Sequence, residues 1–388
     1  MDFQFAKRMD QFQPGIFNIL DEKKKALEAQ GRKVYNLSIG TPDFPPPAHV
    51  MEALREAAAD PENWKYALTE CPALVAAVQG WYRDCYGVEL QREEILSVYG
   101  SQEGLAHIGL AICDPGDVVL VPNPGYPIFE MGPMLCGAEV AYYDLLPENN
   151  YLPDLDAMDP DLAARAKMMI VSYPLNPVCA AAPRSFYEKL VEFAKKHNII
   201  ILHDNAYSKI IFDDHESLSF LSVPGAMEVG VEYNSLSKTY NLTGARISFV
   251  LGNRAIVSKF RTLRSQIDYG IFLPVQMAAV AALTGPQDGV EEQRLVYQAR
   301  RDALCGGFRK LGWNVPDSQG SMFVWAPIPD GYASSEEFCF ALLEKTGVLC
   351  TPGSAFGSLG EGYVRFALNK TVAEIEEVLR AIAEGGVL

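Results

Sequence analysis

The sequence predicts an α/β protein: a mostly parallel sheet of seven strands in a large domain, joined to a smaller α+β domain. Three observations predict it. Seven short apolar runs, rich in β-branched residues, recur between Ile95 and Gly252. Most are separated by segments long enough for a helix, such as Arg184 to His197. Beyond Leu311 the chain changes to short strand-like stretches mixed with helical ones. Near-continuous apolar runs joined by helical crossovers are the pattern of a parallel sheet covered on both faces. Mixed strands and helices at the C-terminus suit a separate α+β unit.

Taken in order, the chain first shows a helical segment from about Ile16 to Ala29. "VYNLSIGTPDFPPP" (Val34–Pro47) is too rich in proline for a helix and is read as a crossing segment between domains. The large domain is expected over residues 45–285, and the N-terminal arm plus small domain over 1–44 and 286–388. The strand candidates are Ile95–Gly100, Asp117–Pro122, Glu139–Asp144, Lys167–Pro174, Ile199–Asp204, Gly230–Ser235 and Arg246–Gly252. Only the last two are joined by a segment too short for a full helical crossover, so one of that pair is expected to run antiparallel. The pattern after Gly252 is helical to about Leu311 and ends in a long charged helix from Val290 to Leu311. "MFVWAPI", "GVLCTPG" and "YVRFAL" then supply the strands of the second domain. No repeats or low-complexity tracts are evident.

Composition narrows the function. The 388 residues carry 33 Lys and Arg against 49 Asp and Glu, a net charge of −16. That field argues against non-specific nucleic-acid or anionic-membrane binding, and any anion must be held by local donors. The 8 cysteines form no CxxC pair and no Cys/His ligand spacing, so reduced thiols and no metal site are expected. "MDFQFAKRMD" lacks an apolar signal segment, and no stretch reaches the roughly 20 apolar residues of a membrane span, so a cytoplasmic location is expected. GxGxxG after a strand, GxxxxGK[ST], HExxH and GxSxG are all missing.

What remains is a set of strand ends, where ligands sit in an open α/β sheet. After Ile95–Gly100 comes "GSQEG": Gly100 permits a tight turn, and Ser101 and Gln102 open a helix whose free N–H groups suit an anion. A plain glycine turn with a serine cap uses the same residues. "PNPGYP" places Tyr126 exposed at the next strand end, for stacking or for packing. "SYPLNPV" holds Asn176 between two prolines, as a fixed amide or as an ordinary turn. Asp204 ends an apolar strand, where a carboxylate needs a positive partner or donors, and Tyr207 follows. Last come Ser235, Ser237, Lys238 and Arg246. An anion nest, a stacking ring, an amide, a buried carboxylate and a lysine on one sheet edge suit pyridoxal 5'-phosphate, with its phosphate, basic ring nitrogen and aldehyde.

These residues resemble those of the fold-type-I, class I/II pyridoxal-phosphate-dependent aminotransferases, in order and spacing, from about Asn18 to the C-terminus. "SLSKTYNLTGAR" with Arg246 eight residues after Lys238 carries the resemblance most specifically, and "YPLNP", "HDNAY" and "GYVRFAL" add to it. The resemblance implies that Lys238 is the Schiff-base lysine and the proton carrier, and that Asp204 pairs with the cofactor ring nitrogen. It implies that Tyr207 and Asn176 bond the ring's phenolic oxygen and that Tyr126 stacks on the ring. Ser101, Gln102, Ser235 and Arg246 would hold the phosphate. Arg365 would grip the substrate α-carboxylate as a bidentate fork, assisted by Asn176 and the Gly40 backbone. Tyr66 would reach a neighbouring subunit's phosphate, which implies a homodimer with shared sites.

The chain departs from the family pattern at Leu175, Val178-Cys179, Cys71, Ala245 and Ser248, none of which removes a catalytic group. "EGLAHIGLA", "VPNPGYPIFE", "EYNSLSKTYNLTG" and "TPGSAFG" look most like the LL-diaminopimelate aminotransferase branch and its alanine aminotransferase relatives. A diaminopimelate enzyme would read the second amino-acid end through an acid near Tyr66. The position three after this tyrosine is Thr69, with Glu70 next to it. The expected activity is transfer of an amino group from an L-amino acid to a 2-oxo acid by a ping-pong route. Two alternatives stand beside it: a C–S β-lyase using the same cofactor, and a non-catalytic cofactor-binding regulator.

Overall fold

In the computed structural model, residues 3–12 and 16–388 are described; the part of the expected N-terminal arm at residues 1, 2 and 13–15 lies outside them. The described residues form twelve strands. They are β1 (Tyr35–Asn36), β2 (Ile95–Val98), β3 (Val118–Asn123), β4 (Glu139–Asp144), β5 (Ala166–Ser172) and β6 (Ile200–Asp204). Then come β7 (Gly230–Ser235), β8 (Ser248–Gly252), β9 (Phe323–Pro327), β10 (Val348–Leu349), β11 (Thr351–Pro352) and β12 (Tyr363–Ala367).

All seven apolar runs enter one sheet of order β2-β8-β7-β6-β5-β3-β4. The strands that read as continuous apolar runs, β2, β3, β5, β6 and β7, are buried along almost their whole length, because helices cover both faces. Edge strand β4 is the exception, exposed at Glu139 and Asp144. β8 runs antiparallel to both β2 and β7, while the remaining pairs are parallel. The expected reversal is therefore in the second strand of the short-linked pair. The helix between β5 and β6 is Arg184–His197, and it stops at Asn198 in the left-handed region at φ 55°.

β11, β12 and β9 form a separate antiparallel sheet. The segment read as a domain crossing contains β1, which pairs in parallel with β10 at Tyr35↔Val348 and Asn36↔Leu349. Nearby, Leu20 and Leu27 of the helix Ile16–Ala29 pack with Leu343 and Leu349 in a small core of their own. The long charged helix spans Asp288–Lys310, starting two residues before the expected boundary. Among the described residues, no helix is long and apolar enough to cross a membrane.

Candidate active site

Strands β2, β3, β5, β6 and β7 all end at one edge of the large sheet. Because β8 is antiparallel, its amino end lies there too: Ser248 sits opposite both Val98 and Ser235. The reversal is what brings Arg246, two residues before β8, to the same edge as Lys238. Gly100 to Gln102, Tyr126, Asn176, Asp204, Tyr207, Ser235, Lys238 and Arg246 line one cavity of about 820 Å³. Gly40 and Arg365 close it from the other side. Tyr66 is the sequence-selected residue that does not line it. Its ring is 79% exposed and lies 4.9 Å from that of Tyr269.

Lys238 rides on the one-turn helix Leu236–Thr239, whose first N–H groups are met by Ser235 Oγ, which accepts from Ser237 N at 3.2 Å. Gln293 Nε2 donates to the Lys238 carbonyl at 2.8 Å, fixing the turn. Lys238 Nζ donates to Gly40 O at 2.6 Å. Burial, with Arg365 and Arg246 nearby, brings the amine down to about 8. A neutral amine is therefore within reach near neutral pH.

Asp204 ends β6 and is buried. Its Oδ1 finds no hydrogen-bond partner among the described residues. Burial, and then the Glu232 charge, push its carboxyl up to about 7. Glu232 is fully buried on the neighbouring β7. It accepts from Tyr82 Oη at 2.7 Å, Ser219 Oγ at 2.8 Å and Phe220 N at 2.8 Å, and meets His203 Nδ1 at 3.0 Å. His203 Nε2 in turn faces Tyr187 Oη at 3.1 Å. Glu232 interrupts an apolar strand in the sequence, a signal of such a network that sequence reasoning passed over.

The anion side of the cavity is built on Gly100, at φ 88°. A β-carbon there would stand 2.2 Å from Arg246 Nη2, so only glycine lets the guanidinium approach. Arg246 is steered by Thr243 O at 2.9 Å and Tyr99 O at 3.3 Å. Ser101 Oγ is buried with no partner among the described residues. Ser248 Oγ donates to Ser235 Oγ at 3.0 Å, which gives the unusual Ser248 a bonding role. Tyr126 Oη donates to Gln102 Oε1 at 3.3 Å. Tyr126 is half-buried rather than exposed, because Gly125 N bonds Phe356 O at 2.7 Å and draws that turn over it.

Arg365 is buried on β12. Nη1 donates to Asn176 Oδ1 at 2.8 Å, and Nη2 to Ser38 O at 2.9 Å. The guanidinium carbon lies 4.1 Å from the Phe323 ring centre and 4.7 Å from that of Phe356. Burial brings its pKa down to about 10, and Nε is buried without a hydrogen-bond partner among the described residues. Phe323 also meets Tyr207 edge-on at 6.0 Å. A β-carbon on Gly40 would stand 2.4 Å from the same ring. Sequence reasoning missed Phe323, since a phenylalanine in a strand carries no mark of a site.

The departures from the expected pattern are accommodated locally. Leu175 N bonds Ala180 O at 3.1 Å, and Cys179, at φ 61°, donates through Sγ to Phe323 O at 3.2 Å. Ala245 is partly buried against the core and does not line the cavity. Cys71 N donates to Gln276 Oε1 at 2.8 Å. Glu70 turns inward: it accepts from Ser97 N at 2.8 Å and Ser97 Oγ at 2.9 Å, and pairs with Arg261 at 2.8 Å. An acid so committed, and 4% exposed, is not free to read a ligand.

Comparison with known proteins completes the description. The family profile "Aminotransferase class I and II" matches residues 32–382. LL-diaminopimelate aminotransferase of Moorella thermoacetica is 43% identical over 98% of this chain and 97% of its own length. That of Dehalococcoides mccartyi is 41% identical over 98% of each. Among solved structures, substrate-bound BacF from Bacillus subtilis superposes with a TM-score of 0.95 at 36% identity, covering 99% of this chain and 98% of that one. A probable N-succinyldiaminopimelate aminotransferase from Thermus thermophilus gives 0.91 at 33% identity, over 95% and 100%. This chain belongs to the class I and II aminotransferases, and is a fold-type-I transaminase that uses pyridoxal 5'-phosphate.

Proposed function

We propose that the enzyme takes an amino group from an L-amino acid and passes it to a 2-oxo acid in two half-reactions at one site. LL-diaminopimelate, or alanine or aspartate, is the donor, with 2-oxoglutarate as acceptor; the names of relatives about 40% identical support the first. The observation that carries the reading is the company Lys238 keeps. In one cavity with it stand a carboxylate oxygen on Asp204, a hydroxyl on Ser101 and a guanidinium N–H on Arg365, all three buried without a hydrogen-bond partner among the described residues.

That donor set fits the cofactor. Asp204 Oδ1 suits a cationic ring N–H, Ser101, Gln102, Ser235 and Arg246 suit a phosphate, and Tyr207 and Asn176 suit a phenolic oxygen. Tyr126 offers a ring to stack on. Bound there, pyridoxal 5'-phosphate supplies an aldehyde carbon for amine attachment and a ring that draws electrons from the substrate Cα. Arg365 holds the substrate carboxylate with Nε and one terminal nitrogen, its plane fixed by Asn176 and Phe323. Gly40 O orients Lys238 Nζ, which takes the proton from Cα in its neutral form and returns it on the far side of the transfer. Cavity walls from Phe323 and Tyr207 keep bulk water from that proton.

The reading extends to assembly. The chain pairs as a homodimer through an exposed aromatic face of Trp64, Tyr66, Leu68, Tyr269 and Phe272. A face of that kind marks a partner surface, and it places Tyr66 to serve the neighbouring site. Residues 45–285 form the large domain, and 1–44 with 286–388 the arm and small domain. The enzyme works in the cytoplasm, consistent with its eight free cysteines.

The test is Lys238→Ala, with half-reactions followed by the absorbance of the bound cofactor. Turnover is expected to fall by several orders of magnitude, of the order seen for removal of a covalent and general-base group. Retained turnover would overturn the assignment. Release of pyruvate and ammonia from cystathionine without a 2-oxo acceptor would instead mark a lyase.

A further inference from the structure

The cavity is polarised in charge from floor to rim. Its floor holds Lys238 and Arg365, both largely buried, with Arg246 beside them. Its rim carries two carboxylates, half-buried Glu130 and exposed Glu336. They come from different parts of the chain. Glu130 lies in the first turn of the helix Ile128–Cys136, just after Tyr126. Glu336 lies in the first turn of the helix Ser335–Thr346. The segment Ser354–Ala355 joins them. Ser354 Oγ donates to Glu336 Oε1 at 3.5 Å, while Ala355 shares a second, smaller hollow with Tyr126 and Glu130.

Neither acid is neutralised by a basic side chain among the described residues. Among the described residues, no ion pair involves Glu130 or Glu336. Glu130 accepts one hydrogen bond, from Tyr142 Oη at 2.6 Å, which fixes one oxygen and leaves the other. A first-turn acid often serves its own helix terminus. Here Ser334 Oγ already accepts from Glu337 N at 3.1 Å, and Glu337 accepts from Ala333 N at 2.8 Å. Glu361 takes Ser335 Oγ at 3.0 Å. Glu336 is the acid of that turn left facing the cavity. The acid beside Tyr66, Glu70, is locked inward. An unpartnered, buried Arg365 Nε in the same cavity marks where the carboxylate end of a ligand goes. Both carboxylates line the cavity that the rest of such a ligand would fill.

We infer that Glu130 and Glu336 are specificity residues that select amino acids whose side chain ends in an ammonium group. The inference rests on the transamination reading and adds to it the chemical class of the substrate's far end. In a net-acidic protein these two charges act locally, because salt screens the rest beyond roughly 8 Å. Opposite charges at a partly exposed rim are worth up to about fivefold per pair, more where water is thinned, so the two acids together give about tenfold.

The experiment compares Glu130→Gln, Glu336→Gln and the double variant with the parent holoenzyme. Each is given lysine with its cationic side chain, LL-diaminopimelate with its zwitterionic far end, uncharged norleucine, and anionic 2-aminoadipate, with the half-reaction followed by cofactor absorbance. In the parent, lysine should lead norleucine in kcat/KM. In the double variant that ratio should fall about tenfold, mainly through KM, and added salt should shrink it in the parent alone. The 2-aminoadipate to norleucine ratio should rise. Unchanged ratios in all three variants, with norleucine still reacting, would overturn this inference and leave transamination standing. If no amino acid changes the cofactor absorbance in the parent, the transamination reading fails first.

Discussion

Asp204→Asn separates what a buried carboxylate does to the fold from what it does for the cofactor. In the chain without cofactor, the Asp204 carboxyl titrates at about 7 instead of 3.8. At about 1.36 kcal/mol per pH unit, that gap corresponds to about 4 kcal/mol. The sign follows from proton binding. The folded chain holds this proton more tightly than the unfolded chain. The favourable contribution is therefore complete below about pH 4, and is lost as pH rises through about 7. Asparagine keeps the shape and removes the charge. Above about pH 8 the cofactor-free variant should be more stable than the parent by up to about 4 kcal/mol, and by little near pH 4. Urea unfolding of both cofactor-free proteins across that range measures the difference. Added pyridoxal 5'-phosphate should then stabilise the parent more than the variant, since a cationic ring N–H favours the charged Asp204. A pH-independent gap between parent and variant, or an equal gain from cofactor in both, would refute the argument.

Three further perturbations bear on other parts of the site. Arg365→Lys keeps the charge and loses the fork; kcat/KM for the amino acid should fall about 10- to 100-fold, read in steady-state kinetics, while cofactor affinity holds. Gly100→Ala drives a β-carbon into Arg246 at a positive φ, so cofactor affinity, followed by absorbance titration, should drop by about tenfold or more. Trp64→Ser combined with Tyr269→Ser removes two exposed rings; sedimentation should show a shift from dimer to monomer, and a stable dimer would place the interface elsewhere.

The strands were legible because burial on both faces leaves a one-dimensional mark: Met169, Ile170 and Val171 need no partner to look like a strand. The reversal of β8 was legible from the length of one connection. Legibility ended where partners lie far apart in sequence. Nothing in Tyr35-Asn36 announces Val348-Leu349, and nothing in "SIGT" announces that Gly40 O meets Lys238. Side chains named for their chemistry, such as Lys238, Asp204 and Arg365, line one cavity; Phe323 lines it too, and as a strand phenylalanine it carried no mark in the sequence. Glu130 and Glu336 look in sequence like ordinary helix-start acids, and only the cavity distinguishes them. Glu70 shows the opposite failure, since its neighbourhood to Tyr66 in sequence does not survive the turn that buries it.

The placing of β8 between β2 and β7 also orders events during synthesis. β2 touches the sheet only through β8, made some 150 residues later on the chain. A nascent chain that has emerged only as far as β7 has strands enough for a partial sheet, yet β2, which leads into Ser101 and its glycine turn, still lacks the strand it pairs with. The grip on Arg246 forms when β8 zips in, and Arg365 arrives later still. The residues that suit the cofactor are thus all made once β8 has emerged, at Gly252 of 388, whereas the arginine that suits the substrate waits for nearly the whole chain.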